Sequence, residues 1–125
     1  MKFADVLHSV KGRHETENAV VKSVSISNGD HGCLTAWLFI EFHGGGCGFG
    51  GFKLGQADGD NLAKHGPNYC AEFIVRCLNT LGKDKWEDLP NTPLRCVHEG
   101  LGGGIIAIGH FLKDEWFCPR AEWPT

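Results

Sequence analysis

Residues Gly44 to Leu54 read GGGCGFGGFKL and directly follow the apolar run CLTAWLFIEF, Cys33 to Phe42. Six of these eleven residues are glycine, which adds entropy to the unfolded chain and brings no side chain to a core. The stretch also holds Phe49, Phe52 and Lys53. It is typical either of a glycine-rich hairpin with a bulge or of backbone that closely approaches a ligand or another chain. Both interpretations stay open.

The segments around this stretch predict a three-strand meander. Between residues 19 and 27, valine and isoleucine alternate with serine, which predicts a strand with one wet face. Asn28-Gly29 is a hairpin signal. The run from Cys33 to Phe42 is apolar on both faces, which predicts the central strand. Cys47 to Leu54 would form the third.

One helix is predicted after the polar loop 55–66. Its apolar residues recur at the spacing of a single helical stripe: Cys70, Phe73, Ile74, Cys77, Leu78 and Leu81. Pro67 suits the first turn and Gly82 the C-terminal cap. Arg76, on the opposite face, is expected in solvent.

The C-terminal half predicts a helical turn and a second hairpin. Residues 83–89 (KDKWEDL) read as a single turn, and residues 92–98 and 105–111 as two strands. The fold class predicted is α+β: an antiparallel sheet of about five strands (a three-strand meander plus a C-terminal hairpin), with one principal helix packed on it.

Length and composition predict a single domain. The chain has 125 residues, enough to bury a core. We divide it into a flexible N-terminal arm (1–17), a single α+β ligand-binding domain (18–118) and a C-terminal tail (119–125). The N-terminus lacks the pattern of a signal peptide, and no segment has the length of a membrane span. A cytoplasmic location is therefore expected.

Charge and cysteine usage narrow the class of protein. A formal net charge of -3 argues against binding to DNA or RNA polymers, which favour basic surfaces. The six cysteines include no C-x-x-C pair, so reduced, mostly buried thiols are predicted. A zinc half-site at His43 and Cys47 is the alternative. We predict no metal and no cofactor.

Catalytic motifs are missing from the sequence. Neither the G-x-S-x-G elbow nor the G-x-x-x-x-G-K-[ST] loop occurs. The run GCGFGG is not followed by the predicted helix that a dinucleotide fingerprint requires. Cysteine–histidine catalysis stays open, but no spacing singles out a pair. We therefore interpret the chain as a protein that is not an enzyme.

The sequence has more features suited to binding a small phosphate-bearing ligand than features suited to catalysis. Two glycine-rich bends, 44–51 and 99–104, can present backbone amides to phosphate. Cations or donors near them are Arg95, Lys53, His98 and Lys113, and rings able to stack on a purine are Phe49, Phe52, Trp116 and Phe117. The alternative for each ring is core packing.

The order of several segments resembles a known family. GCGFGGF, FIVRCLNTLG, KWEDLP, PLRCVHEGLGGG and IGHFLKDEWF follow one another between residues 18 and 118. This succession is similar to that of the small phage proteins that act as Thoeris anti-defence sponges, of the first-described type. The arm to residue 17 lies outside the resemblance.

The resemblance implies a sequestering protein without turnover. Proteins of this family form homodimers, in some cases hexamers, and bind glycocyclic ADP-ribose signals. Hexameric members also hold cyclic trinucleotides of the CBASS type. For this chain it implies a phage protein in the cytoplasm of an infected bacterium, with a homo-oligomer and a small cyclic nucleotide as partners and with no membrane and no nucleic-acid polymer.

Site residues follow from the same resemblance. The segment Phe49, Gly50 and Gly51 and the loop residues His98, Glu99, Gly102 and Gly103 would shape the pockets. Arg95 would hold phosphate, Phe49 or Phe73 would contact the base, and Lys113 and Asp114 would order the ribose edge. Two alternatives remain: an enzyme that degrades a signalling nucleotide with a histidine as general base, and an inhibitor that binds a host protein.

Overall fold

The computed structural model describes residues 1–30, 33–43, 45–53, 69–100 and 103–123. The elements are α1 (Phe3–Ser9), β1 (Glu15–Asp30), β2 (Cys33–Phe42), β3 (Gly45–Lys53), α2 (Tyr69–Leu81), β4 (Pro93–His98), β5 (Ile105–His110), β6 (Trp116–Phe117) and α3 (Pro119–Glu122). None of the helices in these ranges has the length and apolarity needed to cross a membrane. The predicted loop 55–66 and Pro67 lie outside the described residues.

The strands of the described residues join one antiparallel sheet in the order β3-β2-β1-β4-β5-β6. The α+β class is confirmed, with six strands where about five were predicted. The additional strand is β6, in which Trp116 pairs with Gly109 and Phe117 with Ile108. Two residues give too short a pattern to be recognised as a strand from sequence.

The two middle positions of the sheet are held by β1 and β4, so the prediction that β2 is the central strand of the sheet was wrong. β1 begins at Glu15, pairs with β4 over its first part and with β2 over the rest. It therefore joins the two predicted hairpins into one sheet. In β2, Leu38 is fully buried whereas Phe39 is 40% exposed, so this apolar strand buries only one of its faces.

Helix α2 covers one face of the sheet, as its apolar stripe predicted. Cys70, Phe73 and Cys77 pack against β-strand residues that include Leu38 and Ile108. The helix ends at Leu81, and the Lys83 N–H donates to the Leu78 carbonyl behind Gly82. A 3₁₀ turn (Trp86–Asp88) follows, where a single turn was predicted. Burial of this stripe is a hydrophobic contribution to the stability of the fold.

The other face carries a smaller core that includes the N-terminal segment. Val6 of α1 is fully buried with Val97, Ala107 and Trp116. The Trp116 N–H donates to the carbonyl of Met1. Residues 1–17 thus contain a helix packed on the sheet and the start of β1, contacts that a loosely attached arm would lack.

Strand β3 carries the bulge predicted for the glycine-rich stretch. Between Trp37↔Gly50 and Thr35↔Lys53 the register shifts by one residue, and Gly50 and Gly51 have φ of 128° and 81°. The indole of Trp37 lies across this backbone, since a Cβ on Gly48 would be 2.9 Å from the ring. The glycines therefore let β3 pass directly beneath a tryptophan.

Candidate functional site

The sheet curls until the edge of β3 approaches the start of β5. Cys47 of β3 lies against the Ile105 backbone, so the two strands touch at this point. Two cavities open beside the contact, one lined mainly by rings and the other by charged side chains.

The first cavity, which we term the aromatic groove, has a volume of about 590 Å³. Its walls include Trp37, Phe52, Tyr69, Trp123, Gly48 and Arg120. A volume of this size lies within the range of small-molecule sites, which are mostly apolar with a few polar groups. Because the rings come from β2, β3, α2 and the residue after α3, the groove exists only in the folded chain.

Trp123 fixes the far wall of the aromatic groove. Its ring stacks on Tyr69 with a centroid distance of 4.8 Å and meets the edge of Phe52 at 4.8 Å. Pro119 occupies the first turn of α3, where a proline costs no hydrogen bond. The segment predicted as a tail therefore forms a wall of the cavity.

Arg120 is the cation of the aromatic groove. Its Nη2 donates to Oε1 of Glu99 at 3.3 Å, and both side chains are about half exposed, at 51% and 45%. An ion pair this exposed contributes little to stability. Its guanidinium can therefore exchange Glu99 for the phosphate of a ligand at low cost, and a guanidinium fork suits phosphate geometry.

The second cavity, the polar cleft, has a volume of about 490 Å³. It is lined by Arg13, Glu15, Glu17, Phe42, His43 and His98, together with glycine backbone. Cys47 and Gly103 line the cleft, while Gly48 and Gly104 line the groove. Each cavity is therefore bounded both by β3 and by the segment that leads into β5.

His98 is held on both ring nitrogens inside the polar cleft. Nδ1 accepts the Gly100 N–H at 3.1 Å, so in a neutral ring the proton sits on Nε2, which donates to Oε2 of Glu17. The ring also stacks on Phe42, with centroids 4.5 Å apart and planes 12° from parallel. His98 is thereby fixed as a hydrogen-bond donor to Glu17.

The tautomer of His98, with its proton on Nε2, affects whether the cleft suits a metal ion. Among the described residues, Glu15, Glu17 and His98 offer ligand atoms within 4.8 Å of one another. A histidine that binds metal through Nε2 normally donates its other N–H to an acceptor. Here Nδ1 faces the N–H of Gly100, which cannot accept that proton. The geometry suits a histidine–carboxylate hydrogen bond better than a metal centre.

The thiols beside the cleft are held in their neutral form. Burial raises the pKa of Cys96 to about 12, and the negative charge of the Glu17 carboxylate adds to the effect. Burial also raises the pKa of Cys47, and this effect outweighs that of the Ile105 backbone, which lowers the pKa. A nucleophilic cysteine needs a lowered pKa, so neither thiol is activated for catalysis.

We expect Cys96 in the folded protein to resist alkylation by iodoacetamide at pH 8, because its thiolate is scarcely populated there. Mass spectrometry after brief labelling checks this, with protein unfolded in urea as the control that must label. The raised pKa also implies that the contribution of this thiol to stability falls as the pH rises from about 8.5, the usual value, toward 12. Rapid labelling of Cys96 in the native state would contradict the assignment.

The structure distributes the predicted site residues over several places. Phe49 and Gly50 line the aromatic groove, although Phe49 is only 4% exposed. His98 and Gly103 line the polar cleft, and Glu99 accepts a hydrogen bond from Arg120 of the aromatic groove. Gly51 lies beneath Trp37. Gly102 lies outside the described residues.

Phe73 lies in the core. It is fully buried and contacts the rings of Phe49, Phe52, Phe117 and Trp86. These neighbours come from β3, β6 and the 3₁₀ turn, and together they enclose the ring. Phe73 therefore has no face open for stacking on a base.

Arg95, Lys113 and Asp114 lie around the β5–β6 connection instead of lining either cavity. Arg95 donates from Nε to the His110 carbonyl at 2.9 Å and from Nη2 to the Lys113 carbonyl at 2.7 Å. Its guanidinium also lies 4.8 Å from the Trp116 ring centroid. Asp114 accepts the N–H of Phe3. Arg95 and Asp114 thus hold a turn and the N-terminal helix, which accounts for these charges without a ligand.

Sequence reasoning missed Trp37, Tyr69, Arg120 and Trp123 as site residues. The only local signal was the glycine-rich strand, since several glycines in a strand indicate that another group crosses its backbone. That signal identifies the strand but not the ring that lies on it. A scan against protein-family models, and searches of curated proteins and of solved structures, returned no match for this chain.

Proposed function

We propose that this chain binds a cyclic ADP-ribose-type signal in the aromatic groove and sequesters it without cleaving it. The observation that carries the proposal is the groove itself: a cavity of about 590 Å³ walled by Trp37, Tyr69, Phe52 and Trp123, with Arg120 beside them. Bases stack on aromatic rings whatever their sequence context, at about 1–3 kcal/mol for each base. Rings and a guanidinium together suit a ligand with purine and phosphate groups.

Glycine backbone supports the same proposal. Gly104 lines the groove just before β5, and a Cβ there would meet no atom within 4 Å. A ligand can therefore come close to the main chain at Gly104, as phosphate and ribose groups do in nucleotide sites. The corresponding space at Gly48 and Gly50 is taken by Trp37 and Phe73. The sequestered signal would be a glycocyclic ADP-ribose, and a cyclic trinucleotide is the alternative ligand.

Sequestration without turnover agrees with the chemistry of the neighbouring cleft. Both ring nitrogens of His98 are engaged, by Gly100 and by Glu17, and only 5% of the side chain is exposed. A general base needs a free nitrogen within reach of the proton that it removes. His98 therefore supports binding better than hydrolysis.

The biological setting of the proposal is a phage protein that acts in the cytoplasm of an infected bacterium. It would lower the free concentration of an immune signal by mass action, as a homo-oligomer that encloses the ligand on more sides than one chain can. This part rests on the family resemblance in the order of segments between residues 18 and 118.

The experiment is calorimetry with purified protein and glycocyclic ADP-ribose, followed by heat denaturation and chromatography of the released ligand. The proposal expects saturable binding and recovery of the intact ligand. Loss of ligand over many turnovers would favour an enzyme instead. Copurification of a host protein, together with indifference to nucleotides, would favour the protein-binding alternative.

We expect Arg120→Gln to weaken binding of the ligand about tenfold or more, because a hydrogen bond to a charged group is worth about 1.5–3 kcal/mol. Thermal stability should change little, since the pair with Glu99 is half exposed. Lys113→Gln is the matched control, as it removes an equal charge outside the groove lining. Equal affinities for both variants would remove Arg120 from the site.

A further inference from the structure

Trp123 directly follows α3, a helix too short to hold its own position. The helix spans only Pro119–Glu122, and a single helical turn is unstable by itself. Its backbone hydrogen bonds join residues 118–123 to one another. Contacts with other elements must therefore set the place of the Trp123 ring in the aromatic groove.

One ion pair joins α3 to α2 and to the sheet. Arg76 donates from Nε and Nη2 to the two carboxylate oxygens of Glu122, each at 2.9 Å. Nη2 also donates to the Trp116 carbonyl at 3.1 Å, and the guanidinium lies 5.0 Å from the Phe117 ring centroid. Oε2 of Glu122 in turn accepts the Cys118 N–H at 3.1 Å. A fork of this kind fixes the orientation of the carboxylate as well as its distance.

This pair is mostly shielded from water, unlike the pair of Arg120 with Glu99. The side chains of Arg76 and Glu122 are 28% and 21% exposed, against 51% and 45% for the other pair. Solvent and salt weaken exposed ion pairs most. The pair of Arg76 with Glu122 can therefore hold one geometry, whereas Arg120 can exchange its partner for a group of the ligand.

Helix α2 contacts the segment around Trp123 at two points, seven residues apart in the sequence. Tyr69 stacks on Trp123, with ring centroids 4.8 Å apart, and Arg76 binds Glu122, the residue before it. Seven residues are about two helical turns, so both side chains lie on one face of α2, roughly 10 Å apart along its axis. Trp123 also lines a second hollow together with Arg76 and Glu122. The ring would therefore have room to leave the groove if the pair were lost.

We infer from these contacts that Arg76 and Glu122 are positioning residues, which hold the Trp123 ring as the far wall of the aromatic groove without touching the ligand. The described residues that line the groove do not include either of them. The effect on ligand binding rests on the proposed function, whereas the placement of the ring does not. Loss of the pair should change the affinity for the ligand through Trp123 alone.

The position of the ring is tested first, by fluorine NMR of protein labelled with fluorotryptophan, in which Trp123→Phe assigns the Trp123 resonance. In Arg76→Gln this resonance should move toward that of the free amino acid, because the ring leaves its contacts. Lys113→Gln is the matched control, since it removes an equal charge outside the groove lining, and it should leave the resonance in place. An unchanged Trp123 resonance in folded Arg76→Gln protein would overturn the inference.

Glu122→Gln is the second variant, and it should move the Trp123 resonance in the same direction. Its amide keeps an oxygen that can accept the Cys118 N–H, so it keeps the test valid if Arg76→Gln fails to fold. Circular dichroism shows whether each variant is folded. Loss of the fold in both variants would assign the pair to global stability and overturn its role as a positioning device.

Binding is tested second, by calorimetry with glycocyclic ADP-ribose in a double-mutant cycle. Arg76→Gln should weaken binding about tenfold, the loss expected when one stacking ring is misplaced. In a Trp123→Ala background the same change should cause little further loss, because Arg76 acts through that ring. Equal fold losses in the two backgrounds, or no loss in either, would overturn the inference. Failure of the wild type to bind would overturn the proposed function, and the NMR measurement would still decide whether the pair positions Trp123.

Discussion

Phe73→Ala is expected to lower the free energy of unfolding by about 3–5 kcal/mol, the range for removing a buried phenylalanine ring. The ring is fully buried and lies 5.3 Å from Phe49 and 5.6 Å from Phe52, centroid to centroid. Small domains have a total stability of about 5–15 kcal/mol. A loss of this size is therefore at least about a fifth of the total stability of such a domain, and all of it at the lower end of the range.

Urea denaturation followed by circular dichroism measures the effect of Phe73→Ala, with the denaturant slope as a check that the unfolded state is unchanged. Val75→Ala is the matched control on the same helix, because Val75 is 54% exposed and surface changes usually stay within about 0.5 kcal/mol. A loss below 1 kcal/mol for Phe73→Ala would show that this ring is not a core anchor.

Local periodicity determined most of the fold. The stripe of α2 and the alternation in β1 each follow from residues within one segment, and the structure has both elements. The partners of charged residues could not be predicted in this way, because the spacing of charges in the sequence does not show which group each charge contacts in the fold. Arg76, expected in solvent, forms two 2.9 Å hydrogen bonds with Glu122, which lies 46 residues away.

The candidate site could be predicted only in part, since its walls meet through tertiary contacts. Trp37 on β2, Tyr69 at the start of α2 and Trp123 after α3 line one groove, yet no spacing rule connects them. Arg95 was a reasonable prediction for phosphate from its place near a glycine loop. In the structure its guanidinium donates hydrogen bonds to the carbonyls of His110 and Lys113. Sequence patterns do not reveal backbone acceptors of this kind.

Gly51→Val is expected to destabilise the protein by about 2–4 kcal/mol and to weaken ligand binding at the same time. The residue has φ of 81°, a region that β-branched residues rarely adopt. A Cβ there would also overlap the indole of Trp37, and overpacking alone costs about 1–3 kcal/mol. The indole is a wall of the aromatic groove, so its displacement changes the binding surface.

Gly104→Ala is the matched control for the effect on stability. A Cβ at Gly104 would meet no atom within 4 Å, although the residue also lines the groove. Its unfolding free energy should stay within about 0.5 kcal/mol of the wild type. An equal loss in both variants would mean that flexibility of the glycine segments, and not the contact with Trp37, accounts for the effect.

A double-mutant cycle separates the clash from the strain in the Gly51 backbone. Trp37→Ala removes the ring that a new side chain would overlap, so the cost of Gly51→Val should be smaller in that background than in the wild type. The part of the cost that remains is the strain at φ 81°. Strictly additive losses would show that Trp37 does not rest on Gly51. In that case the glycine-rich strand would have to be explained by its bulge alone, without the aromatic groove.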